Sequence, residues 1–352
     1  MRKLQAVIHL KSIYENALAF KALTGRKLCA VVKADAYGHG AEQVALAIES
    51  VVDAFAVALL SEALALRVAA CGKDILILTP PTCLAETVQA VQNGFIVTVG
   101  GIVDAKLVEK AAEIAGKPAR VHLKVNTGMN RYGMGASELG KTCKFLKGKR
   151  NVNVEGMYSH LFSQREAEAY QARTRFLRSQ GICKQYFPAL TYHLSATYGA
   201  LLGKDFAFDM VRIGIGLYGY LPDGVSGFES KETALKLKKG MSVYAYAVGA
   251  RKPSFGGVGY TKPLDKSIKR LAVYRVGYAD GFLRKQQNGM HGCEKNANCL
   301  CMDACLRKGC AKKGQKTLIL QDAHASAETA KTISYEVLCA ATKRAERIYE
   351  YT

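Results

Sequence analysis

The residues with the clearest chemical potential lie between positions 31 and 40, in the sequence VVKADAYGHG. A short apolar run from Leu28 to Val32 predicts a buried strand, and Lys33 follows it directly. Burial disfavours an ammonium ion and lowers the pKa of a lysine. A lysine at this place is therefore suited to attack an aldehyde and form a Schiff base. The position of Lys33 at the end of a strand is also compatible with an ordinary lysine whose amine reaches solvent.

The stretch 31–40 resembles, over all ten residues, the pyridoxal phosphate (PLP) attachment motif of alanine racemases. The resemblance implies that Lys33 carries the cofactor and that Tyr37 lies near the cofactor phosphate. It extends through nearly the whole chain. It implies PLP-dependent racemisation of a small amino acid, above all L-alanine to D-alanine for the supply of cell-wall peptides.

The elements that must position this motif follow from the pattern of apolar residues. Eight strand-like runs alternate with segments of helical period, which indicates parallel strands joined by crossovers. This pattern predicts an α/β protein with a closed (β/α)₈ TIM barrel. An open doubly wound sheet is the alternative, and the lack of a Gly-rich fingerprint after the first strand argues against it. The predicted strands are 28–33, 54–60, 75–79, 95–100, 120–125, 154–160, 190–196 and 211–218.

A barrel places its active site at the carboxyl ends of its strands. The side chains predicted there are polar and mostly basic, which suits an anionic cofactor. Barrels also often hold phosphate in the loops after strands seven and eight, which here contain Ser195, Gly214 and Ile215. The predicted strand-end residues are Lys33, Lys124, Arg131, His160, Ser195 and Arg212.

A change in composition after Gly219 predicts a second domain. Residues 220–240 read as a linker, and 241–250, 270–276 and 316–320 show the alternation of strands. We therefore predict a PLP-binding barrel over 1–225 and a smaller, mainly β C-terminal domain over 226–352. The prediction leaves open that the first strand of the chain pairs with this second domain. Residues 333–342 are predicted to form its terminal helix.

The segment HLKVNTGMNRYGM, residues 122–134, resembles the family segment that binds the substrate carboxylate. By this resemblance Arg131 binds the carboxylate and Lys124 is the lysine that is often carbamylated. Asn126 departs from the family pattern, which usually has aspartate there. His160, in GMYSHLF, resembles a histidine beside the catalytic tyrosine.

The stretch VRIGIGLYG, residues 211–219, is the second strongest match and places Arg212 at the pyridine nitrogen of the cofactor. Most PLP enzymes use a carboxylate there to keep the ring nitrogen protonated. Arginine cannot accept a proton, so the ring withdraws electrons less strongly. A short-lived carbanion is reprotonated quickly at Cα, which favours racemisation over transamination.

Racemisation also needs an acid/base group on the opposite face of the substrate. The resemblance gives this role to Tyr260, in the sequence VGYT, although a core tyrosine is an alternative in a chain with 18 tyrosines. The motif VGYADGF places Tyr278 near the site, and Met302 and Asp303 belong to the family's C-M-D stretch. In this family these residues reach the site of the other subunit, so a head-to-tail homodimer is implied.

Lys343 is a departure from the family, which has a tyrosine before its R-x-x-R motif. Since that tyrosine lines the substrate pocket, the change leaves a serine or broad-specificity racemase as an alternative. A non-catalytic PLP-binding protein of the same barrel is an alternative from another class. The downstream β domain with Tyr260 argues against it.

The composition restricts the class of protein further. A formal net charge of +21 is spread over the chain without an RNA-binding fingerprint, which favours a solvated basic surface over a nucleic-acid partner. No apolar run has the length of a membrane span, and the N-terminus lacks the apolar core of a signal peptide, so we expect a cytoplasmic protein. The clustered cysteines are predicted to be free thiols, because none form a C-x₂-C pair typical of zinc sites. They are Cys293, Cys299, Cys301, Cys305 and Cys310.

Overall fold

A closed barrel of eight parallel strands forms the first part of the chain. The computed structural model describes residues 4–69, 71–224, 235–260, 262–263, 267–288, 290–291 and 299–351. The first strand, β1 (Gln5–His9), lies outside the barrel. The barrel strands are β2 (Lys27–Val31), β3 (Ala54–Val57), β4 (Asp74–Ile77), β5 (Ile96–Val99), β6 (Ala119–Lys124), β7 (Val152–Tyr158), β8 (Thr191–His193) and β9 (Met210–Ile213).

Neighbouring barrel strands follow the chain order from β2 to β8, and β9 pairs with β2. Between β8 and β9 the barrel closes through backbone hydrogen bonds. The amide of Asp209 donates to Tyr192 (3.0 Å), and that of Arg212 donates to Ser195 (2.9 Å). The predicted barrel is thus confirmed, and the open sheet is excluded because an open sheet has two free edges.

Helices connect the strands and cover the outside of the barrel. Their inward faces are apolar, as in the helix Leu10–Thr24, where Ile13, Ala17 and Phe20 are buried. This helix ends at Gly25, whose positive φ of 62° suits glycine. The other barrel helices are Ala41–Ile48, Leu60–Val68, Leu84–Gln92, Ile102–Ala115, Ala136–Lys147, Glu166–Lys184, Thr197–Leu202 and Lys204–Ala207, and a short helical segment spans Lys33–Tyr37.

The C-terminal domain is built around a mostly antiparallel sheet. It contains β10 (Met241–Arg251), β13 (Leu271–Tyr274), β14 (Cys299–Leu300), β15 (Cys305–Lys308), β16 (Lys316–Leu320) and β17 (Glu346–Glu350). Strands β11 (Gly257–Val258) and β12 (Lys262–Pro263) form a separate pair. Helices Ala323–Ala330 and Ser334–Ala341 precede β17.

Strand β1 belongs to this second sheet, where it links the two ends of the chain. It pairs antiparallel with β10 and parallel with β17, so that Ala6 lies opposite both Val243 and Arg347. The sequence analysis did not predict β17. The proposed boundary at 225/226 lies outside the described residues. None of the helices within the described ranges is both long and apolar enough to cross a membrane.

Candidate active site

A cavity of about 680 Å³ opens at the carboxyl ends of the barrel strands. No aspartate or glutamate is among the described residues that line it. The cavity therefore has the charge and hydrogen-bond donors of a site for an anionic ligand. Eight of the predicted site residues line it, namely Lys33, Tyr37, Lys124, Arg131, His160, Arg212, Gly214 and Ile215.

Lys33 extends from the end of β2 into this cavity. Burial lowers the pKa of its amine, and the nearby guanidinium of Arg131 lowers it further, while Glu62 acts in the opposite direction. A larger share of Lys33 is therefore neutral near pH 7 than of an ordinary lysine. The neutral amine is the form that attacks a carbonyl carbon.

The chain after Lys33 makes a left-handed turn. Ala34, Asp35, Ala36 and Tyr37 have φ values of 51° to 54°. Left-handed helical backbone costs about 1–2 kcal/mol per non-glycine residue, so surrounding contacts must hold this turn. The turn brings the buried side chain of Tyr37 to the wall of the cavity.

Tyr37 lies against Gly214, which follows β9. A Cβ atom added to Gly214 would lie 2.6 Å from the Tyr37 hydroxyl oxygen, so only glycine fits here. Burial raises the pKa of Tyr37, which keeps the hydroxyl protonated and able to donate a hydrogen bond. The two residues lie side by side in the wall of the cavity.

Arg212 is buried in the barrel wall and is fixed by four acceptors. Its Nη1 donates to the ring Nδ1 (2.8 Å) and the carbonyl (3.0 Å) of His193, and Nη2 donates to the carbonyls of Ser159 (2.5 Å) and Leu194 (3.0 Å). Burial lowers its pKa to about 10, so it stays protonated near neutral pH.

The hydrogen bond from Arg212 determines the tautomer of two buried histidines. Because a guanidinium only donates, Nδ1 of His193 must accept, and its Nε2 then donates to Nδ1 of His122 at 2.9 Å. Burial lowers the pKa of His122 to about 3 and that of His193 well below its usual value. Both rings are therefore neutral.

Lys124 occupies the centre of the cationic group. Burial lowers its pKa strongly, and Arg212 and Arg131 lower it further. Its Nζ lies 4.1 Å from the centre of the Tyr158 ring. His160 also has a strongly lowered pKa, caused by burial and then by Arg212. The structure thus places a neutral imidazole, and a lysine amine that loses its proton more readily than usual, among permanent cations.

Asn126 organises the loop that leads to Arg131. Its Oδ1 accepts from the amides of Gly128 (3.0 Å) and Asn130 (3.2 Å), and its Nδ2 donates to Oδ1 of Asn130 (2.9 Å). The residue that departs from the family pattern thus closes the turn through local hydrogen bonds.

Ser195 is not among the residues that line the cavity. It is fully buried, and its Oγ donates to the carbonyl of Phe206 at 2.6 Å. Its hydroxyl is thereby turned into the protein, while the next residues, Ala196 and Thr197, reach the cavity. The Ser195 side chain therefore does not reach the cavity in this arrangement, and its contact with phosphate stays a prediction.

The predicted residues of the C-terminal domain are also absent from the lining of this cavity. Tyr260 is 83% exposed and Met302 is 53% exposed. The amides of Tyr278 and Ala279 donate to the carbonyls of Cys301 and Met302, both at 3.0 Å, which joins the two predicted motifs. These side chains form an outward-facing surface of the chain.

Lys343 is exposed and does not line the cavity. The helix Ser334–Ala341 ends before it, and the amide of Lys343 donates to the carbonyl of Ala340 as the chain turns towards β17. The side chains of this helix that line the cavity are Tyr335 and Cys339, one turn apart. The sequence analysis missed both, although their spacing of four residues on a helix is a signal for a shared face.

Two of the clustered cysteines approach each other in the structure. The sulfur atoms of Cys299 and Cys301 are 4.0 Å apart, whereas Cys310 is exposed. Across the described ranges, no three of His, Cys, Asp and Glu gather where they would hold a metal ion. Cys293 lies outside the described residues.

The fold and the site define a TIM-barrel protein with a partly buried lysine in a cationic cavity. Family models agree with this class. The alanine racemase N-terminal domain matches residues 8–222, and the alanine racemase C-terminal domain matches residues 250–349. The chain belongs to the alanine racemase family.

Individual relatives and structures support the same assignment. The chain is 34% identical to the alanine racemase of Lactobacillus delbrueckii subsp. bulgaricus, over 97% of this chain and 96% of the relative. It is 32% identical to that of Clostridium novyi, over 99% and 96%. Alanine racemase from Clostridium difficile 630 has a similar structure, with a TM-score of 0.90, 27% identity and coverage of 100% and 97%. The Bartonella henselae enzyme, with covalently bound pyridoxal phosphate, has a TM-score of 0.85, 25% identity and coverage of 99% and 100%.

Proposed function

We propose that this protein is an alanine racemase that interconverts L-alanine and D-alanine, with PLP bound through Lys33. The observation that carries the proposal is the cavity that joins Lys33, Tyr37, Arg131 and Arg212 without a lining carboxylate. The product D-alanine would supply cell-wall peptides. A cytoplasmic location remains a prediction from the sequence.

The residues present fit PLP in shape and in charge. Tyr37 and Gly214 offer a hydroxyl donor beside a backbone that carries no side chain, which suits a phosphate. The amides of Gly214 and Ile215 would bind the same phosphate. Among the hydrogen bonds described for Arg212, all leave from Nη1 and Nη2, so Nε is the atom proposed to face the pyridine nitrogen.

When bound, PLP would withdraw electrons from the substrate Cα and so acidify its proton. Lys33 would hold the cofactor and then, through Nζ, take or return the Cα proton on one face of the substrate. Arg131 would bind the substrate carboxylate and fix which face meets Nζ. Arg212, held by four acceptors, would stay in place and keep its positive charge at the ring nitrogen.

The second proton would move through the hydroxyl of Tyr260 from another copy of the chain. Tyr260 is 83% exposed and outside the cavity of its own chain, as a residue that completes a neighbouring site would be. Tyr278, Met302 and Asp303 would border the substrate from the same side. We therefore propose a homodimer with two shared sites.

Lys124 is proposed to react with carbon dioxide. Its neutral amine would form an Nζ–C bond with CO₂ and release one proton, which gives a carbamate. The product would place a negative charge between Arg131 and Arg212, whose positive charges disfavour the protonated amine. This carbamate would orient Arg131 for the substrate carboxylate.

An assay of the purified holoenzyme against a panel of L-amino acids tests the proposal. We expect D-product from L-alanine with the highest kcat/KM of the panel. A protein that binds PLP without forming any D-amino acid would instead be the non-catalytic binder. The case for serine rested on an open pocket at Lys343, and Lys343 does not line this cavity. Faster turnover of serine than of alanine would contradict our choice of substrate.

A further inference from the structure

The left-handed turn that follows Lys33 is held by the last strand of the C-terminal domain. The guanidinium of Arg347, on β17, pairs through Nη2 with Oδ2 of Asp35 at 2.6 Å. Its Nε donates to the carbonyl of Gly38 at 3.0 Å. The Arg347 side chain therefore binds both Asp35, in the middle of the turn, and Gly38, which ends it.

Neighbouring residues of the C-terminal segment make further contacts with Arg347 and the turn. Nη2 of Arg347 also donates to Oγ1 of Thr342 at 3.3 Å, and this hydroxyl donates to the Gly38 carbonyl at 3.0 Å. A Cβ atom at Gly38 would lie 2.5 Å from the carbonyl oxygen of Leu338, and one at Gly40 would collide with the Tyr349 hydroxyl. The C-terminal segment 338–349 is thus packed directly on the turn.

The barrel holds the other side of the turn by hydrogen bonds. Oε1 of Glu62 accepts from the amide of Ala34 at 2.6 Å, and Oδ1 of Asp35 accepts from the amide of Ala41 at 2.7 Å. Asp35 therefore links the helix that starts at Ala41 to Arg347. Because the backbone of this turn is intrinsically unfavourable, its shape depends on these contacts.

We propose that Arg347 is a positioning residue that fixes Lys33 and Tyr37 for the cofactor. Arg347 does not line the cavity, and it acts through the left-handed turn that connects Lys33 to Tyr37. The inference rests on the proposed use of PLP. It adds that the C-terminal domain shapes the cofactor site of its own barrel, besides presenting Tyr260 to another chain.

The test compares Arg347→Gln with Arg120→Gln, which removes a guanidinium of similar exposure. Arg120 pairs with Asp74 and Glu155 near the start of β6. We expect the dissociation constant of PLP, titrated into cofactor-depleted full-length protein, to rise about tenfold in R347Q and at most about twofold in R120Q. Arg347→Lys should recover only part of the affinity, because an ammonium ion cannot reproduce the fork of donors.

Asp35→Asn tests the same ion pair from its other partner. The variant removes the exposed carboxylate charge and keeps an oxygen that can accept from the amide of Ala41. The double variant D35N/R347Q should weaken PLP binding by less than the product of the two single effects. Equal PLP affinity in wild type, R347Q and D35N would overturn the positioning role. So would equal losses in R347Q and R120Q.

Amide hydrogen exchange separates this inference from the proposed function. In the cofactor-depleted protein, the amides of Gly38 and Ala41 should exchange about tenfold faster in R347Q than in wild type. Failure of the wild type to bind PLP would overturn the proposed function, whereas the exchange comparison would still decide the role of Arg347. Unchanged exchange in R347Q would overturn the role of the residue even in a PLP enzyme.

Discussion

The two halves of the proposed site are built in opposite ways. The barrel half gathers Lys33, Lys124, Arg131 and Arg212 around one cavity inside a single chain. The C-terminal half holds Tyr260 and Met302 outwards, with exposures of 83% and 53%. Burial therefore lowers the pKa values of Lys33, Lys124 and Arg212 within one chain. The exposed residues acquire a comparable environment only if another molecule covers them.

This difference assigns binding of the cofactor to one half of the proposed site and completion of the catalytic site to the other. The barrel half contains everything proposed to hold PLP and the substrate carboxylate. The exposed half contains Tyr260, the proposed second acid/base group, and the residues that would close the site. A single chain is therefore expected to bind the cofactor, and two chains are expected to be needed for turnover.

The largest effect is expected from removing Lys33, the proposed nucleophile of the barrel half. Lys33→Ala should abolish covalent attachment of PLP and lower kcat/KM for L-alanine by more than about 10⁴-fold, because one residue supplies both the attachment and a base. Absorbance and D-alanine formation would be measured together. Lys27→Ala, at the exposed start of the same strand, serves as the control. Covalent PLP in the K33A protein would show that the lysine was wrongly chosen.

Removing Tyr260, the proposed second base, should leave cofactor binding intact. Tyr260→Phe is expected to leave PLP affinity within about twofold and to lower kcat/KM by about 10²–10⁴-fold. Incorporation of solvent deuterium should become asymmetric between L-alanine and D-alanine, because only one face of the substrate keeps its proton donor. Tyr170→Phe, on the surface of the helix Glu166–Lys184, is the control. Symmetric deuterium incorporation in Y260F would assign the second base to another residue.

Mixing the two inactive chains tests whether the halves come from different molecules. In a K33A/Y260F heterodimer, one site would combine Lys33 of the Y260F chain with Tyr260 of the K33A chain. The other site would lack both groups. We expect such heterodimers, separated by affinity tags, to regain about half of the wild-type activity. Heterodimers that stay inactive would place both bases within one chain.

Local sequence patterns predicted the barrel half well because its determinants are local. The first barrel strand, β2, is a short apolar run, so the position of Lys33 just beyond its end could be predicted from a few neighbouring residues. The pairing of β1 with β17 could not be predicted in this way, since it joins residues more than 300 positions apart. The contact of Arg347 with Asp35 also joins residues more than 300 positions apart, so local patterns could not predict it either.

The predicted residues that lie outside the cavity, and the lining residues that were not predicted, show the limits of this reasoning in more detail. A motif alignment gives the place of Lys343 in the sequence, but the end of the preceding helix decides which way its side chain points. Tyr335 and Cys339 reach the cavity because that helix packs beside the left-handed turn, which is a tertiary contact. The orientation of Ser195 depends on the nearby carbonyl of Phe206, which no strand pattern reveals.

The smallest effect that we expect concerns the pH dependence of the barrel half. His39 is fully buried below the left-handed turn, where its Nδ1 lies 3.0 Å from the carbonyl of Ala36 and 3.1 Å from that of Tyr37. Burial lowers its pKa to about 4, despite these two hydrogen bonds, from an ordinary value of 6.5. Between these two values the unfolded chain binds more protons than the folded one, so stability falls as the pH falls.

His39→Gln should therefore weaken this acid sensitivity. Glutamine retains a donor for the carbonyls and does not titrate, so the slope of unfolding free energy against pH should decrease between pH 6.5 and 4, by up to about 1.4 kcal/mol per pH unit. Urea unfolding of the wild type and the variant at several pH values in this range measures the change. A variant that is less stable at every pH by the same amount would mean that His39 contributes packing alone. A smaller slope would show that the turn holding Lys33 depends on a neutral imidazole beneath it, a requirement that the exposed half of the site does not share.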